Sequence, residues 1–408
     1  MASLPISEPI VPDLTTKERV NASQHPELGT GPIPVEFFLS EEIFQREADE
    51  IFGRYWLVIG RSEQVRNSGD YFVYEVEVQK TSVIVAKGKD GKVRAFHNIC
   101  RHRGNRVASG AGNCRHFVCQ NHGWAFTMDG KLASAPDFSQ FHDLDKATLG
   151  LVEINCEVWN SFIFINFDKN PAQTLIEQLG GFVEQYRDYP FESLVCGGQW
   201  SSKLRCNWKV FQDIFQEAYH VSTVHAGTFP TFYAGPINPF GRPGGFKTWG
   251  LNRSATVVYN PEYEATPIEK VAAALGTTWT DMATEGFPGS NWSNNKYFAF
   301  DINGTFPNIL IDVASGFFFT HQFWPISVNE TRWVGSVYFL PPRKPSELLS
   351  QEQAYILIRD AWREDLSLGE AAQLALESRA MDHVHFADSE IALRHSFEAM
   401  KQALNLDL

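Results

Sequence analysis

The sequence predicts an α+β protein in two folded parts: a small all-β part over residues 50–168 and a larger α+β part over 169–408, preceded by an arm and helix over 1–49. Three observations carry this. The chain has 408 residues, enough for two or three domains at roughly 100–200 residues each. From Tyr55 to Phe167 the apolar segments are short and rich in β-branched and aromatic residues. Beyond Pro171, stretches with helical periodicity return and alternate with strand-like runs. Hydrophobic residues make up 43% and charged residues 20%, a balance that buries a core. Lys+Arg minus Asp+Glu is 35 − 48, a net charge of −13 with no block of like charge, which argues against nucleic acid or an anionic membrane as partner. No run approaches the ~18 apolar residues of a membrane span, and Met1–Val20 is polar, so a cytoplasmic location is expected.

Taken in order, residues 1–34 carry Pro5, Pro9, Pro12 and Pro26 and read as an extended arm. Phe38, Ile43, Phe44, Ala48, Ile51 and Phe52 fall at helical spacing, with Ser40 as a plausible N-cap, and predict a helix over 37–52. WLVIG, DYFVYEVEV, SVIVAKG, KVRAFHN and WNSFIFINF predict strands, with a hairpin turn at Gly88-Lys-Asp-Gly91. TLIEQLGGFVEQYRDY is helix-like and leads to a strand near 198–206 and a long helix from Trp208 to about Val224. Six glycines and four prolines over 226–250 predict an irregular loop. Strands are expected at 296–302, 307–313, 316–324 and 331–340, and a long helix from Pro345 to about Arg379.

Six cysteines cannot form a disulfide scaffold for a chain this long, so the informative ones are those beside histidines. Cys100-Arg-His102 and Cys119-Gln-Asn-His122 are two mixed pairs separated by 16 residues. A Rieske [2Fe–2S] centre needs two cysteines on one iron and two histidines on the other, which this alternation supplies. Gly104, Gly110, Gly112 and Gly123 let the two loops fold back closely. A structural Cys2His2 zinc site uses the same atoms and is the alternative. Cys114 and His116 lie between the pairs and read as loop residues; Cys156, Cys196 and Cys206 read as small apolar residues.

Such a cluster moves one electron and does not itself activate oxygen, so a second metal is expected. In NWKVFQDIFQEAYHVSTVH, Glu217 and His220 are three apart and share a face if the helix reaches 220, and His225 reaches the same metal if the chain bends there. Two histidines and one carboxylate form the facial triad of O2-activating non-haem Fe(II). Asp365 shares a helical stripe with Tyr355, Ile358, Trp362 and Gly369, where a buried carboxylate needs a partner such as a metal. A shifted helical phase makes Asp360 or Glu364 equally good candidates.

These residues resemble the catalytic (α) subunit of Rieske non-haem iron ring-hydroxylating oxygenases over about 40–395. CRHRG, the HGW-x-F-x3-G-x-L run from His122 to Leu132, and NWK followed by E-x2-H-x4-H are similar to its two metal motifs. The resemblance implies an all-β Rieske domain followed by a helix-grip catalytic domain, a curved antiparallel sheet closed by helices. It also implies cluster ligands Cys100, His102, Cys119 and His122, and iron ligands His220, His225 and Asp365, with Glu370 and Gln373 following Asp365. In the ring-shaped homotrimer it implies, Glu217 would bridge one subunit's His122 to the next subunit's His220. The family often has Asp where Glu217 stands, Pro-Tyr where Gln120-Asn121 stands, and Glu-Asn where Asp213-Ile214 stands. Without a G-x-G-x-x-G motif in a βαβ setting, electrons from NAD(P)H are expected to arrive through a partner reductase, directly or through a ferredoxin. O2 and a small, aromatic, possibly carboxylated substrate complete the expectation. Asp213, Ile214, Ala218, Phe232, Phe306, Ile309, Phe319 and Phe323 are its pocket candidates, with Asp213 and Glu217 the candidate catalytic acids. A Rieske electron carrier or a zinc-stabilised ligand-binding domain is the competing class.

Overall fold

The computed structural model describes residues 4–7, 12–15, 18–229, 231–276 and 286–407. Parts of the expected N-terminal arm therefore lie outside the described residues. Two compact units are formed, one by residues 48–175 and one by residues 1–47 together with 176–408.

The unit over 48–175 is built from ten strands: β1 Leu57–Arg61, β2 Asp70–Val76, β3 Thr81–Lys87, β4 Val93–His97, β5 Ala111–Asn113, β6 His116–Val118, β7 Ala125–Thr127, β8 Leu132–Ser134, β9 Glu153–Trp159 and β10 Phe162–Asn166. Seven form an antiparallel sheet in the order β1-β10-β9-β4-β3-β2-β5, and β6-β7-β8 form a second, smaller sheet. Val83, Ile84 and Val85 of β3 are wholly buried, which explains why that strand reads as a continuous apolar run rather than an alternating one. A core of Ile84, Phe96, Trp124 and Phe126 packs beneath the loops that carry Cys100 and Cys119.

The other unit is organised on a seven-stranded antiparallel sheet of β11 Val195–Leu204, β12 Gly245–Trp249, β13 Asn252–Val258, β14 Phe298–Thr305, β15 Ile309–Ala314, β16 Phe317–Ser327 and β17 Glu330–Phe339. Its order, β11-β17-β16-β15-β14-β13-β12, makes β13 to β17 one meander. The helices that matter for the site are α1 Trp208–Ile214, α2 Val221–Val224, α3 Pro267–Leu275, α4 Pro345–Glu377 and α5 Ile391–Leu404. The long α4 packs on α1 and β11 through a buried stripe that includes Ala354, Ile358, Trp362, Asp365, Gly369 and Gln373. A long helix laid on a curled antiparallel sheet is the helix-grip arrangement expected above.

The structure corrects the sequence reading at several places. The expected helix over 37–52 is Glu36–Leu39, Glu41–Arg46 and a π-helical stretch Glu47–Phe52, with Ser40 accepting the Ile43 N–H at 3.2 Å as its N-cap. The expected helix from Trp208 to Val224 stops at Ile214, and 215–220 is irregular. Residues 226–250 are irregular only as far as Gly244, because Gly245–Trp249 pairs with β13 as an edge strand. Helices α3 and α5 and strand β13 were not anticipated. Among the described residues no helix is long and apolar enough to cross a membrane.

Candidate functional site

In the 48–175 unit two loops present the Cys/His pairs in matching turns. The Gly104 N–H donates to the Cys100 carbonyl at 3.0 Å, and the Gly123 N–H donates to the Cys119 carbonyl at the same distance. Both glycines have positive φ, +78° and +68°, which the tight return of each loop requires. Cys100 and Cys119 are buried, while His102 is half-buried and His122 exposed. The two imidazoles lie 4.6 Å apart between ring centroids, and His102 stacks on Trp124 at 5.1 Å. Burial raises the Cys100 thiol. Burial also acts to raise Cys119, but backbone N–H groups of Asn121 and His122 and the Cys100 thiol more than offset it, so Cys119 is lowered. Two soft thiols at the buried end and two imidazoles at the outer end are the donor set a Rieske cluster takes.

In the other unit His220, His225 and Asp365 converge, each offering one ligand atom within 4.8 Å of the others. The local sequence explains how. Asn207 caps α1 by accepting the Lys209 N–H at 3.0 Å, and its own N–H donates to Gln373 at 2.9 Å; the Arg205 N–H donates to Glu370 at 2.9 Å. Glu370 and Gln373 thus tie the start of α1 to α4, one turn and two turns beyond Asp365. After α1 ends, Glu217 accepts the backbone N–H groups of Tyr219 and His220, just ahead of the single turn of α2. His220 and His225 are the residues flanking that turn, so Glu217 and His220 meet through the irregular backbone ahead of it and not by sharing a helix face.

Each histidine is oriented from behind. The His220 Nδ1 is bonded to Glu217, and the His225 Nδ1–H donates to Glu364 at 2.7 Å, whose other oxygen accepts from Thr228 at 2.9 Å. Both Nε2 atoms are left facing Asp365 Oδ1, at 3.5 Å for His220 and 3.1 Å for His225. That buried oxygen makes no well-formed hydrogen bond among the described residues. An acceptor left open between two Nε2 atoms fits a cation. Burial alone would lower His220, but the carboxylates of Asp365 and Glu217 outweigh it and raise the imidazole to about 10. His225 is raised in the same way, against burial, by Asp365 and Glu364; Asp365 is lowered, against burial, by the two histidines.

A cavity adjoins these three residues. Register explains its far wall, because residues paired directly across antiparallel strands share a face. Val257 pairs with Phe300, Ile302 with Asp312, Asp312 with Phe319, and His321 with Gly335, and the side chains of this one face line the cavity. Ile358, Ala361, Trp362 and Asp365 of α4 close it from above, with Ile214, Phe215, Ala218, Phe229 and Tyr233 at the side. Gly335 makes this closure possible: a Cβ there would stand 2.7 Å from the Trp362 ring. Asp312 is 1% exposed, with Oδ2 3.4 Å from His321 Nε2. The Trp333 indole donates to His321 Nδ1 at 3.3 Å, so the proton of a neutral His321 sits on Nε2 and points at Asp312. Burial pushes the Asp312 carboxyl up to about 6, with His321 opposing the shift.

Of the pocket candidates, Ile214, Ala218 and Phe319 line this cavity, and so does Glu217. Asp213, Phe232, Phe306, Ile309 and Phe323 do not. Asp213 and Ile214 are neighbours about 100° apart around α1, so only one can face inward. Asp213 instead accepts from Gln216 at 3.4 Å, and burial raises its carboxyl well above the ordinary range although Arg253 opposes this. Ile309 pairs with Gln322, out of step with Asp312 by an odd number of residues, and so belongs to the other face. Phe323 is on the cavity's face but packs 5.8 Å from both Phe211 and Phe215. Phe306 lies in the β14–β15 turn with its N–H on Asn252, and Phe232 packs 4.9 Å from Tyr263. Asp312, His321 and Glu364 were missed as site residues. Glu364 was weighed only as a rival to Asp365, and the strand alternation that places Asp312 and His321 beside Phe319 was available.

Two family models match the chain: the Rieske [2Fe-2S] domain over 55–153, and the ring hydroxylating alpha subunit (catalytic domain) over 191–405. The carnitine monooxygenase oxygenase subunit of Acinetobacter baumannii is 27% identical over 354 residues, 85% of each chain. The chloroplastic choline monooxygenase of Spinacia oleracea is 27% identical over 359 residues, 85% of this chain and 72% of that one. Among solved structures, a quaternary ammonium Rieske monooxygenase in complex with L-carnitine superposes with a TM-score of 0.72 at 23% identity, covering 92% of this chain and 96% of that one. Naphthalene 1,2-dioxygenase from Rhodococcus sp. bound to indole superposes with a TM-score of 0.73 at 17% identity, covering 96% and 99%.

Proposed function

Because the chain belongs to the ring-hydroxylating alpha-subunit family, an oxidoreductase family that uses O2 and carries a Rieske [2Fe–2S] cluster and a non-haem iron, we propose that it monooxygenates a small cationic nitrogen compound. The observation that carries this is the cavity beside His220, His225 and Asp365, which has aromatic walls, a buried carboxylate at Asp312 and no lysine or arginine among its described lining residues. Ring faces and carboxylates attract cations. Relatives named for carnitine and choline point the same way, so the expected aromatic, possibly carboxylated substrate gives way to a nitrogen cation. Without a basic residue among the described lining residues, a carboxylate on the substrate would have no partner there, which favours a cation without a carboxylate over a carnitine-like one.

His220, His225 and Asp365 are assigned as the iron ligands, and Cys100, Cys119, His102 and His122 as the cluster ligands. Iron bound by such a triad supplies the activation of O2, one atom entering the substrate and the other leaving as water with two electrons and two protons. The chain's own residues prepare that chemistry. Glu217 and Glu364 hold the Nδ1 sides of the histidines, leaving both Nε2 atoms turned towards Asp365, where a metal would be held. The aromatic lining keeps water from the reacting carbon. Glu217 is also the acid assigned to relay electrons towards His220 in a homotrimer, and a separate NAD(P)H-dependent reductase, directly or through a ferredoxin, is the assigned donor.

Asp365→Ala, assayed with a reconstituted reductase, is expected to abolish substrate-dependent O2 uptake and to lose about one iron per chain while the cluster's visible spectrum stays intact. Unchanged turnover would overturn the iron assignment. Screening O2 uptake on alkylammonium and methoxy-aromatic compounds tests the substrate class, and uptake with the aromatic set alone would overturn it.

A further inference from the structure

We infer that the cavity selects a protonated amine, which still carries an N–H, over a fully alkylated quaternary ammonium, and that Asp312 makes the selection. The inference rests on the cationic-substrate reading above and sharpens it.

Asp312 is buried on the cavity face of β15, directly across from Ile302 on one side and Phe319 on the other. Its Oδ2 faces the Nε2–H of His321 at 3.4 Å, and the Trp333 indole on His321 Nδ1 prevents that ring from turning its proton away. Oδ1 has no hydrogen-bond partner among the described residues. Its same-face neighbours Phe300, Ile302 and Phe319 carry no polar side-chain atom, so no donor comes from them. A buried carboxylate oxygen without a donor is costly, and whatever supplies one at that point is held preferentially.

A trimethylammonium group wraps its charge in methyl groups. It can lie on the aromatic walls but offers Oδ1 only C–H groups. A protonated secondary or tertiary amine brings the same charge and the same apolar body together with one directed N–H. A charge-assisted bond in a dry site is worth about tenfold or more in affinity over its absence. Selection therefore comes from a hydrogen bond the quaternary compound cannot make.

The test compares two ligands that differ in one group, N,N-dimethylbutylammonium and N,N,N-trimethylbutylammonium, titrated calorimetrically into the iron-loaded holoenzyme. The dimethyl compound is expected to bind about tenfold tighter or more. In Asp312→Asn the amide carbonyl takes the His321 proton and turns its NH2 into the cavity, so the preference should fall to within about threefold while iron content is retained. Equal or tighter binding of the trimethyl compound by the unsubstituted protein overturns the inference, and so does an unchanged preference in Asp312→Asn. Should that variant not fold, the preference of the unsubstituted protein decides alone. If neither amine binds while a neutral methoxy-aromatic compound is oxidised, the cationic-substrate reading itself has failed, and the inference falls with it.

Discussion

Replacing Glu364 by alanine removes the acceptor behind His225 without touching any assigned iron ligand. The bond lost is 2.7 Å long, from His225 Nδ1–H to a carboxylate whose side chain is 29% exposed, opposite an imidazole that is 6% exposed. Without it the ring can rotate about its side-chain bonds and Nδ1 competes with Nε2 for the proton. Carboxylates behind ligating imidazoles typically account for about 10–100-fold in metal affinity, or about 1.4–2.7 kcal/mol. Partial exposure of Glu364 places the expected loss nearer tenfold. Alanine is the best helix former, so α4 should remain intact. Glu364→Gln keeps an acceptor oxygen and should fall between the two, whereas Thr228→Val removes only the 2.9 Å bond on the other carboxylate oxygen and should cost less than about threefold. The assay is iron retention against a competing chelator, with the cluster's visible absorbance as internal reference. Wild-type iron retention in a normally folded Glu364→Ala protein would refute the reasoning.

Three further outcomes are expected. Lys209 and Glu47 form a buried ion pair, 5% and 0% exposed in their side chains, and the Trp208 indole donates to the same carboxylate at 2.8 Å; Lys209→Ala should therefore cost about 3–5 kcal/mol in denaturant unfolding, against about 1–3 kcal/mol for the paired replacement of Lys209 by Met and Glu47 by Leu, which leaves only the Trp208 N–H without its acceptor. His395 is held neutral by burial, its pKa lowered to about 3, so protons bind the unfolded chain preferentially below pH ~6.5: its contribution is complete above that pH and is lost towards pH 3 at up to about 1.4 kcal/mol per unit. Urea midpoints at pH 7.5 and 5.5 should consequently diverge less in His395→Gln than in the wild type. Gly335→Ala places a methyl 2.4 Å from Trp333 and 2.7 Å from Trp362, which should cost about 1–3 kcal/mol in stability and reduce ligand affinity by driving Trp362 into the cavity; calorimetric binding and thermal melting check both.

Strands whose residues alternate or run continuously apolar were legible, because β-branched content and period report burial directly. The candidate donor sets, which the structure brings together, were legible for a different reason: cysteine, histidine and carboxylate chemistry restricts what such residues can do together. Helix ends were not. Trp208 to Val224 has helical spacing throughout, yet the side chain of Glu217 captures the backbone donors of Tyr219 and His220 ahead of a new turn, a competition that residue spacing does not display. The pocket failed in a more instructive way. Ile309 was chosen as an apolar residue in the right strand, but parity within a strand decides which face a side chain takes, while Phe306 falls in a turn and Phe323 shares the cavity's face yet packs against Phe211 and Phe215. Applied from Phe319 through the observed register, that rule leads to Asp312 and His321, the polar pair that composition hid among aromatic residues.

The sheet face that lines the cavity lies on β13 to β16, and those strands contribute none of the three converging metal donors, which come from the α2 turn and from α4. The sheet residues that line the cavity and the residues that converge as candidate metal donors thus sit on separate chain segments. Substitution at every second residue of those strands can remodel the ligand without disturbing the histidines, and a lineage can change diet while keeping its engine.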